Sequence, residues 1–137
     1  MRKEVFRNAF VYFEFDEQSR VFYAVYLPET KKLNDDLFKH IVYEQIKYVS
    51  HYQPTYYLDN ALELNYPVSP SLQTWSIELI VPKWIGIGVR KYAQVVPKDF
   101  IVNLSMEQVV DEGVAFGIPI ETKFFDNEQD ALVWFAQ

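Results

Sequence analysis

The residues of this chain that can do chemistry are few, and their spacing is informative mainly in one stretch. Asp59-Asn60 follows the apolar run Tyr56-Tyr57-Leu58, and Ser69, Ser71, Gln73 and Trp75 follow across a polar loop. An apolar segment that stops at an Asx pair and then feeds a Ser-Pro helix start reads as strand, loop and helix. Open α/β sheets place their binding sites at such a junction. Asp59 and Asn60 can hold a ligand or a partner's backbone there, or satisfy turn amides as Asx residues do. A phosphate on Ser69 would meet free amides and the positive end of the helix dipole. Ser69 serves equally as an N-cap, with Pro70 at the first helical position.

The remaining candidates are weaker. Glu14, Asp16 and Glu17 cluster near the tip of a predicted hairpin, where solvent holds carboxylates at their ordinary acidity; acid–base work would need one of them buried. His40 and His51 are the only histidines, and neither has a metal-ligand partner at useful spacing. Gly86-Ile87-Gly88 precedes a predicted strand rather than a helix, and the chain has only 4 glycines, so no phosphate-cradling loop is expected. Cysteine is absent, which removes disulfides, thiolate ligands and cysteine nucleophiles. No nucleophile elbow or serine–histidine–aspartate arrangement emerges. The chain is expected to carry no metal, no cofactor and no catalytic residue.

Composition bounds the partners. The formal net charge is -6 and the pI about 4.9, whereas a protein that displaces counterions from phosphate needs a cationic face; no nucleic-acid partner is expected. No segment approaches the ~18 uninterrupted apolar residues of a membrane span, and no signal peptide is read at the start, so a cytoplasmic location is expected. Aromatics make up 18% of 137 residues, more than a small core needs, which points to a lined pocket or an apolar interface besides an aromatic-rich core. Tyr12, Tyr23, Tyr56, Tyr57, Trp75 and Trp84 are the residues that could line such a pocket.

The elements that must position these side chains follow from pattern. Phe10–Asp16 and Arg20–Leu27 are β-prone runs joined by Glu17-Gln18-Ser19, an antiparallel hairpin; residues 1–9 precede it as an extension. Pro28–Lys32 is a loop. Asn34 caps a helix whose first turn carries Asp35 and Asp36, with Leu33 and Phe38 as a staple. Leu37, Phe38, Ile41, Val42, Ile46 and Val49 make its apolar stripe. Thr55–Leu58 is a short buried strand. A second helix starts at Ser69-Pro70, turns Leu72, Trp75 and Leu79 inward, bends near Pro82 and closes at Gly86 or Gly88. Lys91–Val96 is a strand, Ser105–Gln108 opens a third helix with a capping box, and Ile120–Phe125 is the last strand. Asp126 or Asn127 caps a final helix with Ala131, Leu132 and Phe135 inward. The expectation is a single α/β domain over residues 1–137: a mixed central sheet of about five strands, a hairpin then βα units, with about four helices.

This order resembles the STAS-like fold of anti-sigma-factor antagonists, related to the CRAL-TRIO lipid-transfer fold, and more closely a group of small bacterial STAS-like proteins. The resemblance rests on Asp59-Asn60, Ser69-Pro70 with Leu72-Gln73 and Trp75, Pro82, Leu104-Ser105 with Glu107-Gln108, and Phe125-Asp126 with Glu128, Ala131-Leu132 and Trp134-Phe135. It covers nearly all of the chain from about Phe10 onward. Phosphorylated members carry an Asp-Ser-Ser/Thr-Gly turn, whereas here Asp59 is followed by Asn60-Ala61-Leu62, which departs from that switch. The resemblance implies a non-enzymatic interaction or regulatory module with a protein partner, a homodimer among the options, working through Asp59, Asn60, Ser69, Ser71, Gln73 and Trp75. The alternative is a carrier or sensor that holds a small apolar or amphipathic ligand among aromatics.

Overall fold

A computed structural model describes residues 1–95 and 120–137. Six strands form one mixed sheet in sequence order: β1 (Arg2–Arg7), β2 (Val11–Asp16), β3 (Val21–Tyr26), β4 (Tyr56–Asn60), β5 (Lys91–Val95) and β6 (Glu121–Phe125). The first three are antiparallel to one another, and β3 through β6 run parallel. The crossover from β3 to β4 is α1 (Asp35–Tyr52), and that from β4 to β5 is α2 (Pro70–Ile87). The chain closes with α3 (Glu128–Phe135).

The α/β class and the mixed sheet agree with the sequence reading, but the counts do not. There are six strands rather than five, because part of the expected extension at residues 1–9 is the edge strand β1. Its charges, Arg2, Lys3, Glu4 and Arg7, hide the β pattern and are what an edge uses to discourage further pairing. Three α-helices are described instead of four; the helix expected from Ser105 lies outside the described residues. The predicted loop Pro28–Lys32 is a short 3-10 turn, and the strand expected to stop at Leu58 runs on through Asn60.

Helix ends form where the capping chemistry puts them. The Asn34 side chain accepts from the Leu37 amide and the Ser69 hydroxyl from the Leu72 amide, each satisfying a first-turn donor. Gly88 closes α2 at φ 102, a left-handed conformation that a β-carbon disfavours, so the choice left between Gly86 and Gly88 falls on Gly88. Gln53 does the same for α1 at φ 50. Asn127, not Asp126, caps α3.

Helices α1 and α2 cover one face of the sheet. Ile41 of α1 and Trp84 of α2 join Phe13, Phe22, Ala24 and Tyr57 of the sheet in one buried cluster. The opposite face packs Val21, Leu58, Ala93 and Val95 against Ala131 and Phe135 of α3. Alternation along each strand supplies both layers, and β3, buried along its whole length, reads as a continuous apolar run.

Candidate functional site

Strands β3, β4 and β5 bring five polar side chains together beneath the helices, Tyr26, Tyr57, Asp59, Tyr92 and Gln94, and α1 adds Gln45 from above. Register explains the grouping. Tyr57 faces Tyr92 and Asp59 faces Gln94 across the β4–β5 ladder, while Ala24 lies opposite Asp59 on β3. All point to the same face, because alternate residues of a strand do.

Asp59 is the centre of this group. It is only 7% exposed. The Tyr92 hydroxyl donates to its Oδ2 at 2.5 Å, and Gln94 adds a second hydrogen bond. Burial disfavours the charged carboxylate and raises its pKa from 3.8 to about 6, against the pull of the Tyr92 and Gln94 hydrogen bonds. Burial, reinforced by the Asp59 charge, pushes the hydroxyls of Tyr57 and Tyr92 well above their usual range. Tyr26 is raised likewise and accepts a hydrogen bond from Gln45 Nε2 of α1 at 3.3 Å. The Tyr57 hydroxyl, Asp59 Oδ1 and Gln73 Oε1 make no hydrogen bond of good geometry among the described residues. Buried polar atoms in that state cost about 1–3 kcal/mol each, so this interior is not arranged for stability alone.

The six residues expected at the working surface fall in three places. Asp59 and Gln73 are interior; Gln73 is 1% exposed and donates to the Val68 carbonyl. Asn60 points to the other face of the sheet, where its Nδ2 donates to Glu128 Oε2 at 2.7 Å and its Oδ1 accepts from the Leu62 amide. Ser69, Ser71 and Trp75 are on the outer part of α2. The Ser69 and Ser71 hydroxyls are 3.4 Å apart, with Ser69 engaged as the cap. Half-buried Trp75 meets Tyr43 of α1 edge-on at 5.7 Å, with the Lys39 ammonium 5.5 Å from its ring.

The aromatics considered for a pocket are divided by the sheet. Tyr57 stacks on Tyr92 at 5.3 Å and tilts against Trp84 at 5.8 Å beneath α2. On the other face Tyr56 stacks on Phe135, Arg2 lies over Tyr23 at 3.6 Å and Arg7 over Tyr12 at 4.5 Å. Arg2 also bridges Glu14 and Glu128, each at 2.7 Å. Glu14, grouped above with the hairpin carboxylates, is therefore half-buried in an ion pair, while Asp16 accepts from the turn amides of Gln18 and Ser19.

The outer surface of the helix layer is unusual in composition. The 18 residues of α2 include only two charged ones, Glu78 and Lys83, and apolar residues such as Trp75, Val81 and Ile85 extend beyond its buried face. Tyr43 is 54% exposed and Ile85 42%. A helix of that kind normally lies inside a protein or against another one.

Sequence reasoning singled out Asp59 and Gln73 but missed Tyr26, Gln45, Tyr92 and Gln94 as their neighbours. Gln94, the one polar side chain in the run Tyr92–Val96, was the available signal. Among the described residues no three His, Cys, Asp or Glu side chains gather to hold a metal, and no helix is long and apolar enough to cross a membrane. Comparison with family models, curated proteins and solved structures gives no match in any of the three.

Proposed function

We propose that this chain is a non-enzymatic protein-interaction and regulatory module of STAS-like architecture. The observation that supports this most directly is α2, a helix with only two charged residues whose half-buried Trp75 and exposed Ile85, with exposed Tyr43 of α1, present apolar surface outward. The resemblance in sequence order and the consecutive βα units with α1 and α2 on one face support the STAS-like reading of the fold. The working surface is the rim between α1 and α2, where Trp75 and Tyr43 meet beside Lys39 and below the Ser69–Ser71 helix start. Aromatic pairs flanked by a cation are the kind of anchor that interfaces concentrate their energy in. The partner such a surface fits is an apolar protein face, and a second copy of the chain is the simplest that supplies one. A shared position on the outer α2 turns is what unites Ser69, Ser71 and Trp75; Asp59 and Gln73 support this surface from beneath.

The experiment is sedimentation and partner capture with Tyr43→Ser and Trp75→Ala variants whose circular dichroism matches the parent. The surface is supported if self-association or capture weakens by tenfold or more, since interface aromatics commonly contribute over 1.4 kcal/mol. Undiminished association by folded variants removes it.

A further inference from the structure

Asp59 is a buried carboxyl group that meets no cation among the described residues. Among those residues, every titratable side chain that faces it from the sheet is a tyrosine: Tyr57 on its own strand, Tyr26 on β3 and Tyr92 on β5. From α1 and α2 the inward polar groups are the uncharged amides of Gln45 and Gln73. The charged residues of those helices, Asp35, Asp36, Lys39, His40, Glu44, Lys47, His51, Glu78 and Lys83, are exposed or half-exposed and none acts on the Asp59 carboxyl. A charged group buried without an opposite charge is normally avoided. The Tyr57 hydroxyl and Asp59 Oδ1 make no hydrogen bond of good geometry among the described residues, so the ionised carboxylate is met by the Tyr92 and Gln94 donors and by no opposite charge there.

We infer that Asp59 is a proton-operated latch beneath the α1–α2 layer, holding the helices on the sheet when protonated and releasing them to water when ionised. The layer is the part that gives, because β3, β4 and β5 are joined by continuous ladders whereas α2 meets β4 through side-chain packing such as Trp84 on Tyr57. An open state that wets Asp59 restores an ordinary carboxyl. The closed group titrates near 6 and the open one near 3.8. Opening is therefore favoured roughly thirty-fold more at pH 7.5 than at pH 4.5.

Native-state amide exchange on the intact chain tests this, with rates corrected for intrinsic pH dependence. At pH 7.5 the amides of Leu72–Trp84 should open as a unit, more often than those of Val11–Tyr26, and about thirty times more often than at pH 4.5. In Asp59→Asn the pH dependence of that unit should vanish. Tyr92→Phe, which removes a donor to the ionised form, should move its midpoint to higher pH, and this serves if Asp59→Asn does not fold. The latch is overturned if Leu72–Trp84 and Val11–Tyr26 share one opening constant at both pH values. It is overturned equally if helix opening ignores pH, or if its pH dependence survives in Asp59→Asn.

Discussion

Tyr92 donates its hydroxyl proton to Asp59 on the diagonal of the β4–β5 ladder: Asp59 pairs in register with Gln94 and Tyr92 with Tyr57, yet the bond joins Tyr92 to Asp59. Diagonal neighbours on one face of a sheet are about 7–8 Å apart, a gap that the length of a tyrosine side chain spans. The bond therefore depends on two strands distant in sequence and on the helix layer that keeps water out.

The first prediction concerns stability against pH. Asp59 has a folded-state pKa of about 6, raised above 3.8 by burial. A raised acid stabilises the fold fully only below its unfolded pKa, and that contribution is lost as pH rises through the folded one. The ionised group should therefore cost about 3 kcal/mol at pH 7.5 and about 1 kcal/mol at pH 4.5. Asp59→Asn should raise the unfolding free energy at pH 7.5 more than at pH 4.5, by roughly 2 kcal/mol. Urea denaturation at the two pH values checks this, and an equal effect at both would mean that the carboxyl titrates normally.

Tyr92→Phe isolates the diagonal bond. At pH 7.5 its acceptor is ionised, so losing the donor should cost about 1.5–3 kcal/mol; at pH 4.5 the neutral pair should lose about 0.5–1.5 kcal/mol. A double-mutant cycle with Asp59→Asn should show coupling at the higher pH. Additive effects there would place the two residues in independent environments.

Arg2 holds Glu14 and Glu128 and covers Tyr23. The charges and hydrogen bonds of the two carboxylates outweigh the burial that would otherwise lower its pKa. Its side chain is 32% exposed. Arg2→Ala should cost about 1–2 kcal/mol, part ion pair and part lost cover over the ring. Arg2→Lys should recover less than half of that, because an ammonium cannot serve two carboxylates and a ring face with one fixed plane. Thermal unfolding of the two variants side by side decides it.

Ser69 separates capping from modification. Ser69→Ala should cost about 1 kcal/mol, and Ser69→Asp should cost almost nothing, since aspartate caps as well and favours the dipole. A large loss of stability in Ser69→Asp would show that the start of α2 cannot accept negative charge, and would remove phosphorylation there as a regulatory route.

Much of this architecture could be read before it was seen, for local reasons. Asn34, Ser69 and Asn127 announce helix starts because a cap acts within three residues of itself. The stripe Phe38, Ile41, Val42 and Val49 is likewise a property of one segment, although Leu37, read into it by spacing, is 37% exposed. What escaped was set by distant partners. Asp59-Asn60 reads as the end of a strand because Asx residues favour turns, but Tyr92 and Gln94 on one face and Glu128 on the other hold the pair within β4. β1 escaped because an edge strand carries charge where a central one carries valine. The grouping of Tyr26, Gln45, Tyr92 and Gln94 around Asp59 depends on strand register, which no single segment encodes.

The Arg2–Glu128 contact spans 126 positions of sequence. During synthesis β1 can pair with β2 early, but the Arg2 guanidinium has no second carboxylate until α3 has left the ribosome. At the ~5–20 residues per second of translation, that interval is roughly 6 to 25 seconds. Over it, the Tyr23 face of the young sheet lacks α3, and Arg2 is held by Glu14 alone. The clasp thus works as a late seal, joining two parts of this domain made far apart in time and favouring the folded over the partly made domain only once Glu128 has arrived.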